Sequence, residues 1–370
     1  TNPMNNHVTV LEIDGNALEH NLHYFKNKLH QKTKILAVVK AFGYGSDAAK
    51  VASFLKDKVD YFAVAYAPEG LLLRNHEIDT PVLLLHPLPA HFETIVAQRL
   101  EPSLYSLDLV RHFITYLEAR RMEQFPVHIK FNSGLNRLGL SQSDAVILQE
   151  LLAKTKAIRI VSVFSHLAAS EDPNERDFTL DQIARFDAFY DTLNQKLDNT
   201  PLRHILNTSG IFNYAEKQME MVRLGIGLYG ISNDEEEQKE LENVGTLKSV
   251  ISQIRTIDKG ESVGYGRRFI AEKTTKVATI PIGYADGIRR SWGNGVGYVT
   301  INGKQAKIIG SICMDMLMVD VTDIDCKEGN TVIVFGENPT VPLMAKKLNT
   351  IPYEILTSIS QRVKRVFFRE

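Results

Sequence analysis

The sequence predicts an α/β (β/α)8 TIM barrel followed by a mostly antiparallel β domain, and three observations carry that expectation. Between about residues 13 and 230, eight short β-rich runs alternate with amphipathic helical stretches. After Gly230 the pattern changes to short alternating segments separated by Gly-containing turns. The length of 370 residues suits one large barrel plus an extension, given about 150 residues per domain.

The strand-like TVLEI at Thr9–Ile13 comes first and is expected to pair with the β domain, within an N-terminal strand over 8–13. The eight barrel runs are Ile35–Lys40, Tyr61–Tyr66, Val82–His86, Pro102–Ser106, Val127–Asn132, Ile160–His166, His204–Asn207 and Met221–Gly225. Between them, Asn16–Leu29 places Leu18, Leu22, Phe25 and Leu29 on one helical face, and Asp177–Leu197 reads the same way. A doubly wound open sheet is the rival, but AFGYGSDA after the first run lacks the G-x-G-x-x-G dinucleotide fingerprint. The acidic stretch Asn233–Asn243 reads as a solvated surface connection or exposed helix. The expected domains are therefore a barrel over 13–240 and a β domain over 241–370. Within the latter, Val277–Ile282, Gly297–Ile301 and Met316–Val321 read as strands, with turns at Asn302-Gly303 and Glu328-Gly329-Asn330.

Composition removes several function classes. Lys plus Arg number 43 and Asp plus Glu 44, so there is no overall attraction for nucleic acid or an anionic membrane. No apolar stretch approaches the roughly 20 residues of a membrane helix, and Thr1–Val10 lacks a basic segment followed by an apolar one. A cytoplasmic protein is expected. Two cysteines, Cys313 and Cys326, are too few for a disulfide framework or a cysteine-based zinc site, and Cys313 is expected to be a buried thiol. His86, His128 and His204 show no metal-ligand spacing, so no catalytic metal is expected. The start at Thr1, with Met4 the first methionine, suggests processing or excision from a longer chain.

In such a barrel the C-terminal ends of the strands face the catalytic mouth. Those ends carry Lys40, Lys130 with Arg137 just beyond, His166, His204 with Asn207, and Arg223. A lysine ending an apolar strand is either a snorkelling surface amine or a buried one with a depressed pKa, able to form a Schiff base. Asn207-Thr208-Ser209-Gly210 and Arg223-Leu224-Gly225-Ile226-Gly227 follow the seventh and eighth runs, where barrels often hold a phosphate. Plain turn chemistry is the other reading of those segments. Amine and phosphate cradle at one mouth would together suit pyridoxal 5'-phosphate.

Val38-Val39-Lys40-Ala41-Phe42-Gly43-Tyr44-Gly45 resembles the lysine motif of the pyridoxal-phosphate alanine racemases. Further matches follow in order across essentially the whole chain. They are Phe164-Ser165-His166-Leu167-Ala168, Val222-Arg223-Leu224-Gly225-Ile226, Val263-Gly264-Tyr265-Gly266, Gly283-Tyr284-Ala285-Asp286-Gly287, Cys313-Met314-Asp315 and Tyr353-Glu354. The resemblance implies racemisation of alanine by a homodimer, each site combining one barrel mouth with the other subunit's β domain. The product would supply D-alanine for peptidoglycan.

Roles follow from the same resemblance. Lys40 would hold the cofactor as an aldimine and act as base on one face of the substrate Cα. Tyr265 of the partner subunit would act on the opposite face, its phenolate supported by His166. Arg223, oriented by His204, would face the pyridine nitrogen as a permanent donor. Arg137 would meet the cofactor's phenolic oxygen and the substrate carboxylate. Lys130 matches a lysine carried as a carbamate in many members. Tyr44, Thr208, Gly225, Ile226 and Tyr353 align with the phosphate site, and Tyr284 and Met314 with the substrate entrance.

Departures are local. Phe131-Asn132-Ser133-Gly134-Leu135 replaces the common Asp-Thr-Gly-Met type of segment, Ser311 stands where an arginine is often found, and Met316 where a glutamine is common. A serine or broad-specificity racemase is the alternative that keeps the fold. A decarboxylase of this class would be expected to carry a cysteine in place of Tyr265 and an acidic residue in place of Arg223. A non-catalytic pyridoxal-phosphate carrier would lack residues 244–370. Fusion to a cell-wall ligase, which the family includes, is a further expectation.

Overall fold

The computed structural model describes residues 7–369; the start at Thr1–Met4 lies outside them. Strand β1 (Val10–Asp14) precedes eight parallel strands: β2 (Lys34–Val38), β3 (Tyr61–Val64), β4 (Val82–Leu84), β5 (Glu101–Leu104), β6 (Phe125–Lys130), β7 (Ile158–Phe164), β8 (Leu202–His204) and β9 (Met221–Leu224). Their order in the sheet is β8-β7-β6-β5-β4-β3-β2-β9. The remaining seam closes where the Arg223 N–H donates to the Leu206 carbonyl at 3.0 Å. Every residue of β3, β4, β5 and β9 is buried, as a parallel sheet covered on both faces requires.

The helices cover the barrel by the faces that the periodicity marked. Gly15–Lys26 is capped by Asp14, whose carboxylate accepts from the Ala17 N–H at 3.1 Å, and it buries Leu18, Leu22 and Phe25. Each such side chain contributes about 1.5–3 kcal/mol by leaving water. Replacing Leu22 with Asp would set an unpaired charge in that contact.

After the barrel come β10 (Gly245–Val250), β11 (Gln253–Ile257), β12 (Ser262–Val263), β13 (Phe269–Ile270), β14 (Thr275–Ile280), β15 (Tyr298–Ile301), β16 (Lys304–Lys307), β17 (Leu317–Asp320), β18 (Thr331–Phe335) and β19 (Lys364–Phe368). With β1 they form a six-stranded sheet β16-β15-β18-β10-β1-β19, a three-stranded sheet β11-β14-β17 and a hairpin β12-β13. β1 lies antiparallel to β10 and parallel to β19. Asn302 and Gly303 join β15 to β16 with φ of 50° and 76°, the left-handed pair a tight hairpin needs.

Four expectations shift. The run expected at His204–Asn207 ends at His204, because the Asn207 side chain instead caps Thr208–Asn213 by accepting from the Gly210 N–H at 3.0 Å. His166 lies two residues beyond β7 rather than within it. The acidic stretch is not wholly solvated: Glu237 is buried, accepting from the Tyr24 hydroxyl at 3.1 Å and the Ser232 hydroxyl at 2.7 Å. Cys313 is half-buried rather than buried.

Two contacts bring the C-terminal segment to the barrel mouth. The buried Arg365 guanidinium donates to the Gly45 carbonyl at 2.8 Å and to the Ile359 carbonyl at 2.8 Å. Gly45, at φ 82°, presses so closely on helix Pro352–Thr357 that an added Cβ would lie 2.2 Å from the Leu356 carbonyl oxygen. Any side chain at position 45 would push that helix, and Tyr353 with it, away from the mouth.

Candidate active site

β2 ends one residue short of the lysine. The Val39 N–H still reaches the Ala63 carbonyl at 2.9 Å, and the chain then turns left-handed, with φ of 53° at Ala41, 57° at Phe42, 64° at Gly43 and 50° at Tyr44. Non-glycine residues in that region cost about 1–3 kcal/mol each. One carboxylate offsets part of that cost: Glu69 accepts from the Ala41 N–H at 2.7 Å, the Ala65 N–H at 2.8 Å and the Tyr66 N–H at 2.9 Å. The turn thereby fixes Lys40 at the rim and buries Tyr44, edge-on to Tyr229 at 5.0 Å and to Tyr353 at 6.0 Å.

A cavity of about 460 Å³ occupies the mouth, and Lys40, Tyr44, Lys130, Arg137, His166, Thr208, Arg223, Gly225, Ile226 and Tyr353 all line it. His204 stands behind this wall, its Nδ1 2.7 Å from Arg223 Nη1. Arg137 rides on a loop tied by Asn132, whose side-chain oxygen accepts from the Gly134 N–H at 3.1 Å and the Asn136 N–H at 3.0 Å. An amide oxygen thus performs the loop-closing acceptor role at a position where the sequence departs from the common aspartate.

The cavity gathers four cationic side chains, Lys40, Lys130, Arg137 and Arg223. Burial first, then the neighbouring Arg137, lowers the Lys40 pKa, while Glu69 opposes that shift. Lys130 is pushed down to about 8, again chiefly by burial and then by Arg137. Burial lowers Arg223 to about 10 and holds both His166 and His204 well below the ordinary histidine value, so both imidazoles are neutral. Arg223 Nη2 lies 3.2 Å from His166 Nδ1. A guanidinium only donates, so Nδ1 accepts and the His166 hydrogen sits on Nε2.

These features fit pyridoxal phosphate. An amine of lowered pKa can take an aldehyde, and an excess of positive charge can hold a phosphate. At Gly225 an added Cβ would lie 2.6 Å from the Tyr44 hydroxyl, so only the bare backbone leaves that part of the cradle open.

The other sequence-marked residues are elsewhere. Tyr265 is 76% exposed on a short turn of the β domain and lines a separate groove with Cys313, Met316 and Met318. Tyr284 and Met314 are also exposed. Their turns are bound together by the Tyr284 N–H to the Cys313 carbonyl at 2.9 Å, and by Arg362, which reaches Asp286 and Asp315.

Sequence reasoning missed Glu69, and it missed Tyr66 and His86, which also line the cavity. The one available signal for Glu69 was its place two residues after Ala67, at the third position of a helix, where a glutamate reaches back to cap the helix start.

Comparison with known proteins agrees with this geometry. The family model described as alanine racemase, N-terminal domain, matches residues 13–233, and the one described as alanine racemase, C-terminal domain, matches residues 244–367. Alanine racemase 2 of Caldanaerobacter subterraneus subsp. tengcongensis is 34% identical over 369 residues, covering 97% of this chain and 94% of its own. Among solved structures, the alanine racemase of Clostridium difficile 630 superposes with a TM-score of 0.93 at 34% identity, covering 98% of this chain and 96% of that one. The alanine racemase of Bartonella henselae, solved with covalently bound pyridoxal phosphate, gives 0.88 at 31% identity, covering 98% and 99%. No helix among the described residues is long and apolar enough to cross a membrane. The chain belongs to the alanine racemase family and is an amino-acid racemase, an isomerase.

Proposed function

We propose that this chain interconverts L- and D-alanine at the barrel mouth with pyridoxal phosphate held on Lys40, using Lys40 and the partner subunit's Tyr265 as opposed bases. The observation that carries this reading is the division of its parts. The amine, the guanidiniums and the phosphate cradle share one cavity, whereas Tyr265 stands exposed outside it. A second copy, bound so that its Tyr265 face closes the mouth, would complete the site, making a homodimer the working form.

When bound, the cofactor withdraws electrons from the substrate and so acidifies its Cα–H. The chain's own residues do the rest. Lys40 Nζ, with its lowered pKa, takes or returns the Cα proton on one face, and the Tyr265 oxygen does so on the other. Because Arg223 fixes the His166 hydrogen on Nε2, that hydrogen is available to support a phenolate. The permanent donor at Arg223 leaves a ring nitrogen facing it unprotonated, which disfavours transamination. Arg137 binds the substrate carboxylate. Tyr44, Thr208, Gly225, Ile226 and Tyr353 hold the phosphate, and Tyr284 and Met314 of the partner border the entrance. Lys130, which matches a lysine that many family members carry as a carbamate, stands in the same cavity as Arg137 and supports its placement. The product serves peptidoglycan synthesis in the cytoplasm.

Mixing two inactive variants tests the reading. Lys40→Ala and Tyr265→Phe should each lose alanine racemisation, yet remixed subunits should recover about a quarter of wild-type activity, since half the dimers carry one complete site. No recovery after verified subunit exchange would sink the shared site.

A further inference from the structure

Arg223 is a buried cation whose partners carry no negative charge. They are the Nδ1 atoms of His204 and His166 and the carbonyls of Ser165, His204 and Ile205. Such a charge is costly unless something compensates it. Behind it, inside the barrel, runs an unbroken chain of buried polar side chains. His204 Nε2 lies 2.9 Å from Ser162 Oγ, Ser162 Oγ is bonded to His128 Nδ1, and His128 Nε2 lies 2.9 Å from Glu101 Oε1. Glu101 also accepts from the Tyr61 hydroxyl at 2.8 Å. His128, Ser162 and His204 have no solvent exposure at all, and Glu101 has 8%.

The order of hydrogens along this chain is determined. A carboxylate only accepts, so His128 carries a hydrogen on Nε2, and with a single hydrogen on the ring its Nδ1 is the acceptor for the Ser162 hydroxyl. The Ser162 oxygen must then accept from His204 Nε2–H, which leaves His204 Nδ1 as a lone pair facing Arg223. The reverse order would set His204 Nδ1–H against an Arg223 N–H. Donor at one end and acceptor at the other therefore agree, and every dipole between them points the same way.

We propose that Glu101 is the counter-charge and a positioning residue for Arg223, acting through the relay His128–Ser162–His204 to hold the guanidinium donating into the cavity. This deepens the assignment of Arg223 to the cofactor ring and rests on that reading for its catalytic consequence. The proton order itself is independent of the cofactor.

Ring-nitrogen NMR of 15N-histidine-labelled protein, cofactor-loaded and stripped, tests it. His128 and His204 should both show the hydrogen on Nε2. In Arg223→Leu, or Arg223→Met should leucine unfold the chain, Glu101 alone should keep His204 in that form. Adding Glu101→Gln, whose amide can present either end to His128, should give a mixture of tautomers, and adding Ser162→Ala should do the same by cutting the relay. An Nδ1–H at His204 in the wild type, or a His204 tautomer indifferent to Glu101 and Ser162 in the Arg223 variant, overturns the relay. In the loaded enzyme, Glu101→Gln alone should lower kcat for alanine with KM unchanged, and an unchanged kcat overturns the positioning role. An intact relay in a wild-type chain that neither binds pyridoxal phosphate nor racemises alanine would instead refute the proposed function.

Discussion

At the barrel mouth, Lys40 and His166 are half-buried and Arg223 is buried, and burial is the largest influence on the proton affinity of each. On the β domain, Tyr265, Tyr284 and Met314 are 76%, 42% and 53% exposed. One region is a pre-formed charge cluster whose geometry is complete within a single chain. The other is a set of exposed apolar and phenolic side chains on turns of the β domain, with Tyr265 bordering a groove shared with Cys313, Met316 and Met318. A phenol can serve as a base at neutral pH only where neighbours stabilise its anion. The contrast separates a mouth that gathers the cationic side chains from a face that, under the proposed function, acts only from a second copy.

The largest expected effect breaks the mouth. Lys40→Ala removes the amine, so both the roughly 420 nm absorbance typical of a lysine-bound cofactor and alanine racemisation should vanish. Tyr265→Phe should instead keep the absorbance and lower kcat by about 10²–10⁴-fold, the usual worth of a positioned acid–base group. A colourless Tyr265→Phe would mean that the exposed face helps to hold the cofactor, and the contrast between the regions would fail. Spectra and polarimetry on the two purified variants decide between these outcomes.

A subtler variant sharpens the account of the mouth. Glu69 holds the left-handed turn through the Ala41 N–H and favours the charged form of Lys40. Glu69→Gln should therefore lower the Lys40 pKa further. The pH profile for reloading stripped protein with pyridoxal phosphate should move towards acid. A slower reloading without that shift would show that Glu69 acts through the backbone alone.

How much of this was legible in the sequence depends on the range over which each residue acts. Lys40 was visible because it ends an apolar run, and His166 and Arg223 because they sit where barrel strands open. The alternation of runs and helices likewise marked both the barrel and the antiparallel sheets. Glu69 offered only its third place in a helix, which points to the helix start and not to the Ala41 N–H 28 residues back. Glu101 was hidden because its partners Tyr61 and His128 stand 40 and 27 residues away and meet it only when the barrel closes. His204 appeared as the start of a run and is its end, since Asn207 was needed as a cap. Local propensity does not weigh that competition.

The smallest expected effect concerns stability. Within the mouth, Lys130 is 6% exposed and its pKa falls from the usual 10.5 to about 8, with burial as the main cause. The folded chain therefore binds fewer protons at this site than the unfolded chain between those two values, and stability rises with pH across that interval. Below about pH 8 the charged amine is buried at full cost, and above about 10.5 both states are neutral and the cost is gone. Lys130→Met removes the titrating group. In urea melts at pH 8, 9 and 10 in buffer free of carbon dioxide, its stability should exceed wild type most at pH 8, with the gap closing by about 1 kcal/mol per pH unit. A gap that stays constant would mean that the Lys130 amine keeps its charge on folding.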